Sequence, residues 1–227
     1  MCAVIGAVIR QPSFENLDTL RRVFLDSQIR GMHATGLSYV KSGKIYTEKL
    51  PVPANEFPFR FEEYINEDGN LYLIGHCRYS TSDLEYNQPI SNEKVSVVHN
   101  GVVSQGLPEQ WEDLYGYKCE TKNDTELLLH TIEDNKSPLS HWIDSSLSVI
   151  ELHLDKKIRA YRNGKRPIYM ITLENGYIFT STADICKRAG VNGVMMKLEP
   201  FVYTVVYQSA VMYEMGYTPS DFKDLQK

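Results

Sequence analysis

Apolar and polar positions alternate along this chain between strand-like and helix-like patterns, with no long linker between them. The first apolar run, CAVIGAVI at 2–9, is rich in β-branched residues and has no polar alternation, which is typical of a strand buried on both faces. A Pro-Ser pair ends this run, and Leu17, Leu20 and Phe24 then repeat at helical spacing. We therefore expect a central first strand followed by a helix that ends at Gly31.

The middle of the chain carries shorter patterns of both kinds. Residues 36–49 have the pattern of a polar hairpin, and three prolines within 51–60 indicate a surface loop. LYLIGHC at 71–77 and VSVVHN at 95–100 are short apolar strands that run into polar residues. The segment NDTELLLHTIEDN at 123–135 predicts a helix that turns its apolar face inward.

The second half of the chain is mostly strand. Four apolar runs follow one another with turn residues at Asp155, Asn163–Gly164 and Asn175–Gly176, and an Asn-Gly pair between apolar runs is typical of a hairpin. A short helix after Thr182 and a last strand at 201–208 complete the pattern. The whole predicts an α/β (α+β) domain with two mainly antiparallel sheets and helices outside them.

Composition and charge narrow the possible functions. With 227 residues, of which 42% are hydrophobic, the chain can bury one sizeable core. Its net charge is −5 and its Lys and Arg residues form no cluster, so we expect no nucleic-acid partner. The longest apolar run is far below the roughly 20 residues that span a bilayer. No export signal is recognisable, and we therefore expect a cytoplasmic protein with no membrane segment.

The four cysteines are well separated, at positions 2, 77, 119 and 186. They form no CxxC pair and have no Cys/His spacing suited to zinc, so we expect reduced thiols and no metal. Phosphate-loop, dinucleotide and HExxH motifs are also missing from the sequence. We expect no cofactor.

Cys2 directly follows the initiator methionine. If Met1 is removed, the thiol lies beside a free α-amine, whose pKa of about 7.7 to 8.0 allows it to accept the thiol proton near neutrality. One residue then supplies a nucleophile and its base. Taken alone, a cysteine after the initiator methionine is more often a small buried residue at the start of a strand.

Four further motifs follow Cys2 in a recognisable order: IRGMHATG at 29–36, GHCRYSTS at 75–82, VVHNGVV at 97–103 and KNDTELLLH at 122–130. With them the chain resembles the class II glutamine amidotransferase domain, the N-terminal-nucleophile glutaminase of glutamine phosphoribosylpyrophosphate amidotransferase, glucosamine-6-phosphate synthase and asparagine synthetase. The likeness extends over residues 2–208. It implies a glutaminase domain at 1–208, a tail at 209–227 that could contact a partner, and a four-layer αββα sandwich of the Ntn-hydrolase type.

The resemblance also implies a role for each motif. Cys2 is expected to attack the glutamine side-chain amide through a γ-glutamyl thioester, while the Asn100 side chain and the Gly101 N–H bind the oxyanion. Arg78 is expected to bind the substrate carboxylate, because a guanidinium can bind both oxygens in one plane. Asp124 is expected to bind the substrate ammonium, and its carboxylate could also support the helix N-terminus.

Two further residues have supporting roles in this resemblance. Thr81 is expected to line the substrate pocket, and Arg30 to position the amino-terminal end. His76, His99 and Cys77 match positions that are structural in the family. The sequence departs from the family pattern near the pocket at four positions: His33, Ser82, Asp83 and Gln105.

These residues predict an enzyme that hydrolyses glutamine to glutamate and ammonia, with the ammonia passing to a separate synthase subunit. Two alternatives remain open. One is a hydrolase of another γ-glutamyl amide or of an acyl amide, and of these two only the acyl-amide hydrolase would not need Arg78 and Asp124. The other is a non-catalytic regulatory or binding module that has kept the fold.

Overall fold

The computed structural model describes residues 1–80, 84–208 and 210–216. In chain order its strands are β1 (Ala3–Arg10), β2 (Ala34–Lys41), β3 (Lys44–Leu50), β4 (Asn70–Arg78), β5 (Ile90–Ser91), β6 (Val95–His99), β7 (Ser148–His153), β8 (Lys157–Arg162), β9 (Tyr169–Leu173), β10 (Gly176–Thr180), β11 (Val194–Lys197), β12 (Val202–Tyr207) and β13 (Ala210–Met215). The helices are α1 (Phe14–Ser27), α2 (Trp111–Tyr115), α3 (Thr125–Glu133), α4 (Pro138–His141) and α5 (Ala183–Arg188).

The strands form two antiparallel sheets. The first has seven strands in the order β11-β9-β10-β1-β4-β2-β3, and the second has six in the order β13-β12-β8-β7-β6-β5. Strand β1 therefore lies at the centre of the first sheet, between β4 and β10. The expected central position of the first strand is confirmed.

Alternate residues of β1 are buried on opposite faces of the first sheet. Ile5 and Ile9 pack with Leu20 and Phe24 of α1, whereas Val4 and Val8 belong to the apolar cluster between the two sheets. A third cluster joins the outer face of the second sheet to α3 and α4. The layers therefore run helix, sheet, sheet, helix, and the predicted αββα sandwich is confirmed.

Gly6 lies on the inner face of β1, where the two sheets approach each other. A Cβ atom at this position would lie 3.2 Å from the Phe179 ring and 3.3 Å from a methyl group of Ile150 on the opposite sheet. Such separations are tighter than ordinary van der Waals contact. Glycine therefore permits the close approach of the layers at this point.

Helix α1 begins as the sequence predicts and ends earlier. Ser13 caps it, accepting from the Asn16 N–H at 3.2 Å while the Asn16 side chain accepts from the Ser13 N–H at 3.0 Å. The helix ends at Ser27, and backbone turns carry the chain on to Gly31. The two ends differ because a reciprocal side-chain cap fixes only the first.

One of the two Asn-Gly turn interpretations needs correction. Asn163–Gly164 is no hairpin, because β8 pairs with β7 and β12 in the second sheet while β9 pairs with β10 and β11 in the first. Gly164 has the positive φ that the pair suggests, at +90°, but the chain there crosses between sheets. The hairpin near Asn175–Gly176 exists, with Gly176 as the first residue of β10.

The second sheet extends beyond residue 208. Strand β13, which falls within the segment expected as a tail, pairs antiparallel with β12 and forms an edge of the sheet. Its side chains are largely exposed, including Met212, Tyr213 and Met215.

None of the helices formed by the described residues has the length and apolar character that crossing a bilayer requires.

Candidate active site

Cys2 lies immediately before β1, at the end of the first sheet where β4 finishes. Ala3 pairs with Cys77, which sets Cys2 beside Arg78 at the strand end. The half-buried Cys2 thiol lies 3.8 Å from the Tyr79 carbonyl oxygen. Arg30 donates through Nε to the Cys2 carbonyl at 3.0 Å. The expected nucleophile and two of the expected arginines therefore share one end of the sheet.

The surroundings of the Cys2 thiol affect its acidity in opposite directions. Burial raises its pKa, while the terminal ammonium and the Arg78 and Arg30 charges lower it in part. The net shift is upward. A thiol in this position is mostly protonated near neutral pH, so it needs a base to become a nucleophile.

Met1 lies at the surface, with 62% of its area exposed. Its sulfur is 3.0 Å from Nη1 of Arg166 and 3.8 Å from Nη2 of Arg30. Burial and the neighbouring Arg166 charge lower the pKa of Arg30. The amino-terminal residue thus rests between two guanidinium groups and is open to solvent.

Asn100 and Gly101 follow β6 in the second sheet. The Asn100 backbone N–H donates to the Ser148 carbonyl at 2.9 Å, which fixes the residue at the end of the β6–β7 pair. Its side-chain nitrogen is buried and, within the described residues, has no hydrogen-bond partner. A buried amide donor without a partner costs free energy, which makes this nitrogen a candidate ligand-binding group.

Gly101 has a backbone conformation that other residues rarely adopt, with φ at +153°. A Cβ atom there would lie 1.7 Å from the Ser146 carbonyl oxygen and 2.8 Å from Nε2 of His99. No side chain fits in this space. The turn after Asn100 is therefore available only to glycine.

Arg78 anchors the loop that returns from residue 84 to β5. Its Nη1 donates to the Tyr86 carbonyl at 2.9 Å and to Oδ1 of Asn87 at 2.7 Å. The Tyr86 carbonyl also accepts from the Asn123 side chain at 3.0 Å. One carbonyl thus connects Arg78 of the first sheet to the residue before Asp124.

Asp124 stands at the start of α3 but does not cap the helix. Its Oδ2 accepts from the Val103 N–H at 2.6 Å, while Oδ1 of Asn123 accepts from the Thr125 N–H at 3.1 Å. The suggestion that the Asp124 carboxylate supports the helix N-terminus by capping is therefore wrong. The neighbouring asparagine does so, and Asp124 faces the loop that contains Gly101.

These contacts link the predicted residues across both sheets. Arg166, whose Nη1 contacts Met1, also lies with Nε 3.3 Å from Oγ of Ser146, the residue whose carbonyl packs against Gly101. Contacts therefore run from the amino terminus through Arg166 and Ser146 to the turn at Gly101. The described site residues that are joined in this way are Cys2, Arg30, Arg78, Asn100, Gly101 and Asp124; Thr81 lies outside the described residues, as do Ser82 and Asp83.

Two histidines lie between the sheets near this site and are fully buried. Burial, followed by the His99 and Arg78 charges, lowers the pKa of His76 to about 3. Burial likewise lowers the pKa of His99, whose Nε2 lies 2.9 Å from the Ser146 carbonyl oxygen. Both rings are neutral at physiological pH, which is compatible with a structural role.

Sequence reasoning missed several supporting contacts. Nδ1 of His33, a position that departs from the family pattern, accepts from the Ser80 N–H at 2.9 Å and so braces the chain just after Arg78. Gln105, another such position, is exposed. The Tyr86 contact uses a backbone carbonyl, which carries no sequence signal. Arg166 is the second arginine of RNGKRP at 162–167, and its place in this motif is its sequence signal.

A separate cavity of about 760 Å³ opens at the other end of the second sheet. Its lining includes Lys94, Glu133, Arg159 and Tyr203. The described site residues do not line it. Because α3 and β6 both point their site-bearing ends away from this cavity, it does not bear on the site around Cys2.

Neither a family model nor a curated protein matches this sequence. Solved structures do match its fold. Glutamine phosphoribosylpyrophosphate amidotransferase from B. subtilis, complexed with ADP and GMP, gives a TM-score of 0.73 at 18% identity, over 95% of this chain and 49% of that one. A glutamine aminotransferase class-II domain protein from Silicibacter pomeroyi gives a TM-score of 0.57 at 14% identity, over 95% and 99% of the two chains.

The chain has the fold of a class II glutamine amidotransferase domain. A structure described as the allosteric regulatory enzyme of purine biosynthesis agrees, with a TM-score of 0.73 at 18% identity. The chain spans about half the length of the two larger structures and nearly all of the Silicibacter protein. The resemblance drawn from the motifs is confirmed at the level of fold.

Proposed function

We propose that this chain hydrolyses the side-chain amide of glutamine, with Cys2 as the terminal nucleophile after Met1 is removed. The observation that carries the proposal is the buried side-chain nitrogen of Asn100, which has no hydrogen-bond partner among the described residues and lies beside the constrained turn at Gly101. A tetrahedral intermediate presents an oxyanion that needs such preorganised donors. The exposure of Met1 supports its removal by an aminopeptidase.

In this mechanism the free α-amine of Cys2 accepts the thiol proton as the sulfur attacks the amide carbon. A C–S bond forms, and the oxyanion receives hydrogen bonds from the Asn100 side chain and the Gly101 N–H. The C–N bond then breaks, and the ammonium returns the proton to the leaving ammonia. Water hydrolyses the thioester, which releases glutamate and restores the thiol.

The remaining residues bind the substrate's backbone groups. Arg78 pairs with the α-carboxylate and Asp124 with the α-ammonium, and the proposal keeps for Thr81 the pocket-lining role that the resemblance implies. Arg30 holds the Cys2 carbonyl, and that contact supports a positioning role at the amino terminus. Together these groups select an amino-acid amide over a simple acyl amide.

We also propose that the glutaminase domain comprises residues 1–208 and that ammonia passes to a separate synthase subunit. The segment 209–227 is the proposed contact. Its described part, β13, exposes Met212, Tyr213 and Met215 on an edge strand, and an exposed edge with apolar side chains is suited to pairing with another chain. Purifying this protein from its natural host and identifying any synthase that co-purifies with it would test this contact.

The glutaminase proposal is tested by mass spectrometry after exposure to 6-diazo-5-oxo-norleucine, an electrophilic glutamine analogue. We expect a single adduct on Cys2. We also expect the intact mass to show that Met1 has been removed and that Cys2 is the first residue. Cys2→Ala should remain unmodified, whereas Cys119→Ser, which alters another half-buried thiol, should be labelled like the parent.

The same protein is then assayed with glutamine and with simple acyl amides. Glutamine turnover supports the proposal, and faster turnover of acyl amides would indicate a different amidase. A folded protein that has lost Met1 but neither forms the adduct nor releases ammonia would be a non-catalytic module.

A further inference from the structure

A second cluster of reactive side chains lies on α3, separate from the residues around Cys2. Glu126 and His130 are four residues apart and share one face of the helix, and Cys119 approaches them from the preceding loop. One donor atom from each residue lies within 4.8 Å of the others. The His130 Nε2 to Glu126 Oε1 distance is 3.7 Å, longer than a hydrogen bond.

The carboxylate of this cluster is held rigidly. Glu126 is 5% exposed, and its Oε1 accepts from the Glu120 N–H at 2.8 Å. Its Oε2 accepts from the Thr121 N–H at 2.7 Å and from the Thr121 hydroxyl at 2.6 Å. These bonds fix the carboxylate where the loop meets the helix and leave further lone pairs on Oε1.

The imidazole of His130 is oriented by a different carboxylate. Its Nδ1 lies 2.9 Å from Oε2 of Glu133, and because an ionised carboxylate only accepts, Nδ1 is the donor in this contact and Nε2 is the nitrogen that faces Glu126. That Nε2 atom is buried and, within the described part of the chain, makes no hydrogen bond. A carboxylate behind one ring nitrogen and a vacant lone pair on the other is the arrangement of metal-binding histidines.

We propose that Cys119, Glu126 and His130 form a Zn²⁺ site, with Sγ, Oε1 and Nε2 as ligands. Thiolate, imidazole and carboxylate together favour zinc over the hard cations Ca²⁺ and Mg²⁺. A tetrahedral Zn²⁺ holds such donors at about 2.0–2.3 Å and therefore roughly 3.3–3.8 Å apart. The N–O separation of 3.7 Å already fits, and the donor atoms of all three residues lie within 4.8 Å of one another.

The three protein ligands leave a fourth position for water or an outside donor. Zinc at this place would cross-link the loop of residues 119–124 to α3, directly after Asp124. The spacing C-x6-E-x3-H contains neither a CxxC nor an HxxxH pattern, which is why the sequence predicts no metal. Only the fold brings Cys119 back to the helix.

Metal binding at this site must displace a proton. Burial and the Glu126 charge raise the pKa of the Cys119 thiol to about 12 in the metal-free protein. Zinc therefore competes with the thiol proton, and its affinity should rise with pH. Without a metal, the direct approach of His130 to Glu126 is the alternative arrangement of the cluster.

The experiment is a titration of the chelator-treated protein with Co²⁺, which reports tetrahedral thiolate coordination in its absorption spectrum. It is carried out in Cys2→Ala so that the terminal thiol cannot contribute. We expect one Co²⁺ per chain with a sulfur-to-cobalt charge-transfer band, displaced by Zn²⁺, and a higher Tm in the presence of Zn²⁺. This readout does not depend on glutaminase activity.

Three variants in the same background complete the test. Cys119→Ser should abolish the charge-transfer band and the Zn²⁺-dependent rise in Tm, and Glu133→Gln should weaken binding about 10- to 100-fold by releasing the His130 ring. His141→Asn, a histidine outside the cluster, should bind like the parent. Retention of the band in Cys119→Ser, or absence of one-to-one binding in the parent, would overturn the zinc site and leave the direct approach of His130 to Glu126.

Discussion

Asp124 accepts a hydrogen bond from the Val103 N–H at 2.6 Å, and this bond joins the start of α3 to the loop that follows β6. The same loop contains Asn100 and Gly101, so a carboxylate from the helical layer positions the proposed oxyanion donors. Asp124 can do this because Asn123 caps the helix in its place. The Oδ2 atom of Asp124 thus has a structural role, and we propose that the negative charge of the carboxylate attracts the substrate ammonium.

Substituting Asp124 in two ways separates these two contributions. Asp124→Asn keeps an oxygen for the Val103 N–H but removes the charge, so kcat/KM for glutamine should fall about 10- to 100-fold with the free energy of unfolding nearly unchanged. Asp124→Ala should lower both. Steady-state kinetics and urea unfolding check this, and equal kinetic loss with equal destabilisation in both variants would contradict it.

Asn100 and Asn163 are both buried asparagines, and opposite results are expected from their alanine variants. Asn100→Ala removes an unpartnered donor, so kcat should fall about 10²- to 10³-fold with little loss of stability. Asn163→Ala breaks bonds to the Leu147 N–H at 3.0 Å and to the Ser145 carbonyl at 2.6 Å and should cost about 2–4 kcal/mol in urea unfolding. A large stability loss in Asn100→Ala would show that its amide has a structural partner.

Gly101 and Gly116 both have positive φ, at +153° and +75°, but differ in their surroundings. At Gly101 an added Cβ meets the Ser146 carbonyl, whereas at Gly116 nothing lies within 4 Å. Gly116→Ala should therefore cost only about 1–2 kcal/mol of backbone strain. Gly101→Ala should cost more and abolish ammonia release, as measured by thermal unfolding and a glutamate dehydrogenase-coupled assay.

Arg78 offers a test of carboxylate recognition. Arg78→Lys keeps the positive charge but loses the planar fork and one of the loop contacts to Tyr86 and Asn87. We expect kcat/KM to fall about 10- to 100-fold for glutamine. An amide substrate without an α-carboxylate should lose much less, and an equal loss for both substrates would indicate that Arg78 acts only on the loop.

Glu151 and Arg159 form a buried ion pair in the second sheet, with nitrogen-to-oxygen distances of 2.8 and 3.0 Å. Burial raises the pKa of Glu151, but the Arg159 charge and the hydrogen bonds from His153 and Arg159 lower it by more. The net pKa is about 2. Because the folded pKa is depressed, the stability it contributes is complete above the ordinary glutamate pKa of 4.5 and is lost as pH falls toward 2.

Breaking this pair should therefore be costly at neutral pH. Glu151→Gln leaves the Arg159 charge buried without its partner and should lower the free energy of unfolding by about 3–5 kcal/mol at pH 7. The difference from the parent should shrink as the pH approaches 2. Urea unfolding between pH 2 and pH 7 measures this, and a difference independent of pH would show that the ionised carboxylate contributes nothing.

The sequence predicts most reliably where both local pattern and chemistry agree. β1 was predictable because apolar β-branched residues occupy both faces, and the positions of Cys2 and Asn100 beside strands were predictable because each adjoins an apolar run. Asn163–Gly164 misled because turn chemistry does not reveal which sheet the next strand will join. The three-proline loop at 51–60 was located correctly, but not its Phe59, which packs 4.7 Å from the Phe24 ring.

Contacts that depend on the tertiary fold could not be read from the sequence. The Tyr86 carbonyl that joins Arg78 to Asn123 is a backbone group present in every residue. Cys119 lies seven positions before Glu126, and only the turn between them returns it to the helix. Side-chain identity alone gives no indication of such pairings.

The two sheets divide the proposed chemistry between them, since Cys2 extends from the first and Asn100 from the second. Between the two sheets lies an apolar cluster, next to which Gly6 packs against Ile150 of the opposite sheet. The spacing of the two sheets, and with it the distance from the Cys2 sulfur to the Asn100 side-chain amide, therefore depends on how side chains pack in this apolar cluster. A change in the volume of this apolar cluster would therefore shift the proposed nucleophile relative to the proposed oxyanion donor without altering either residue.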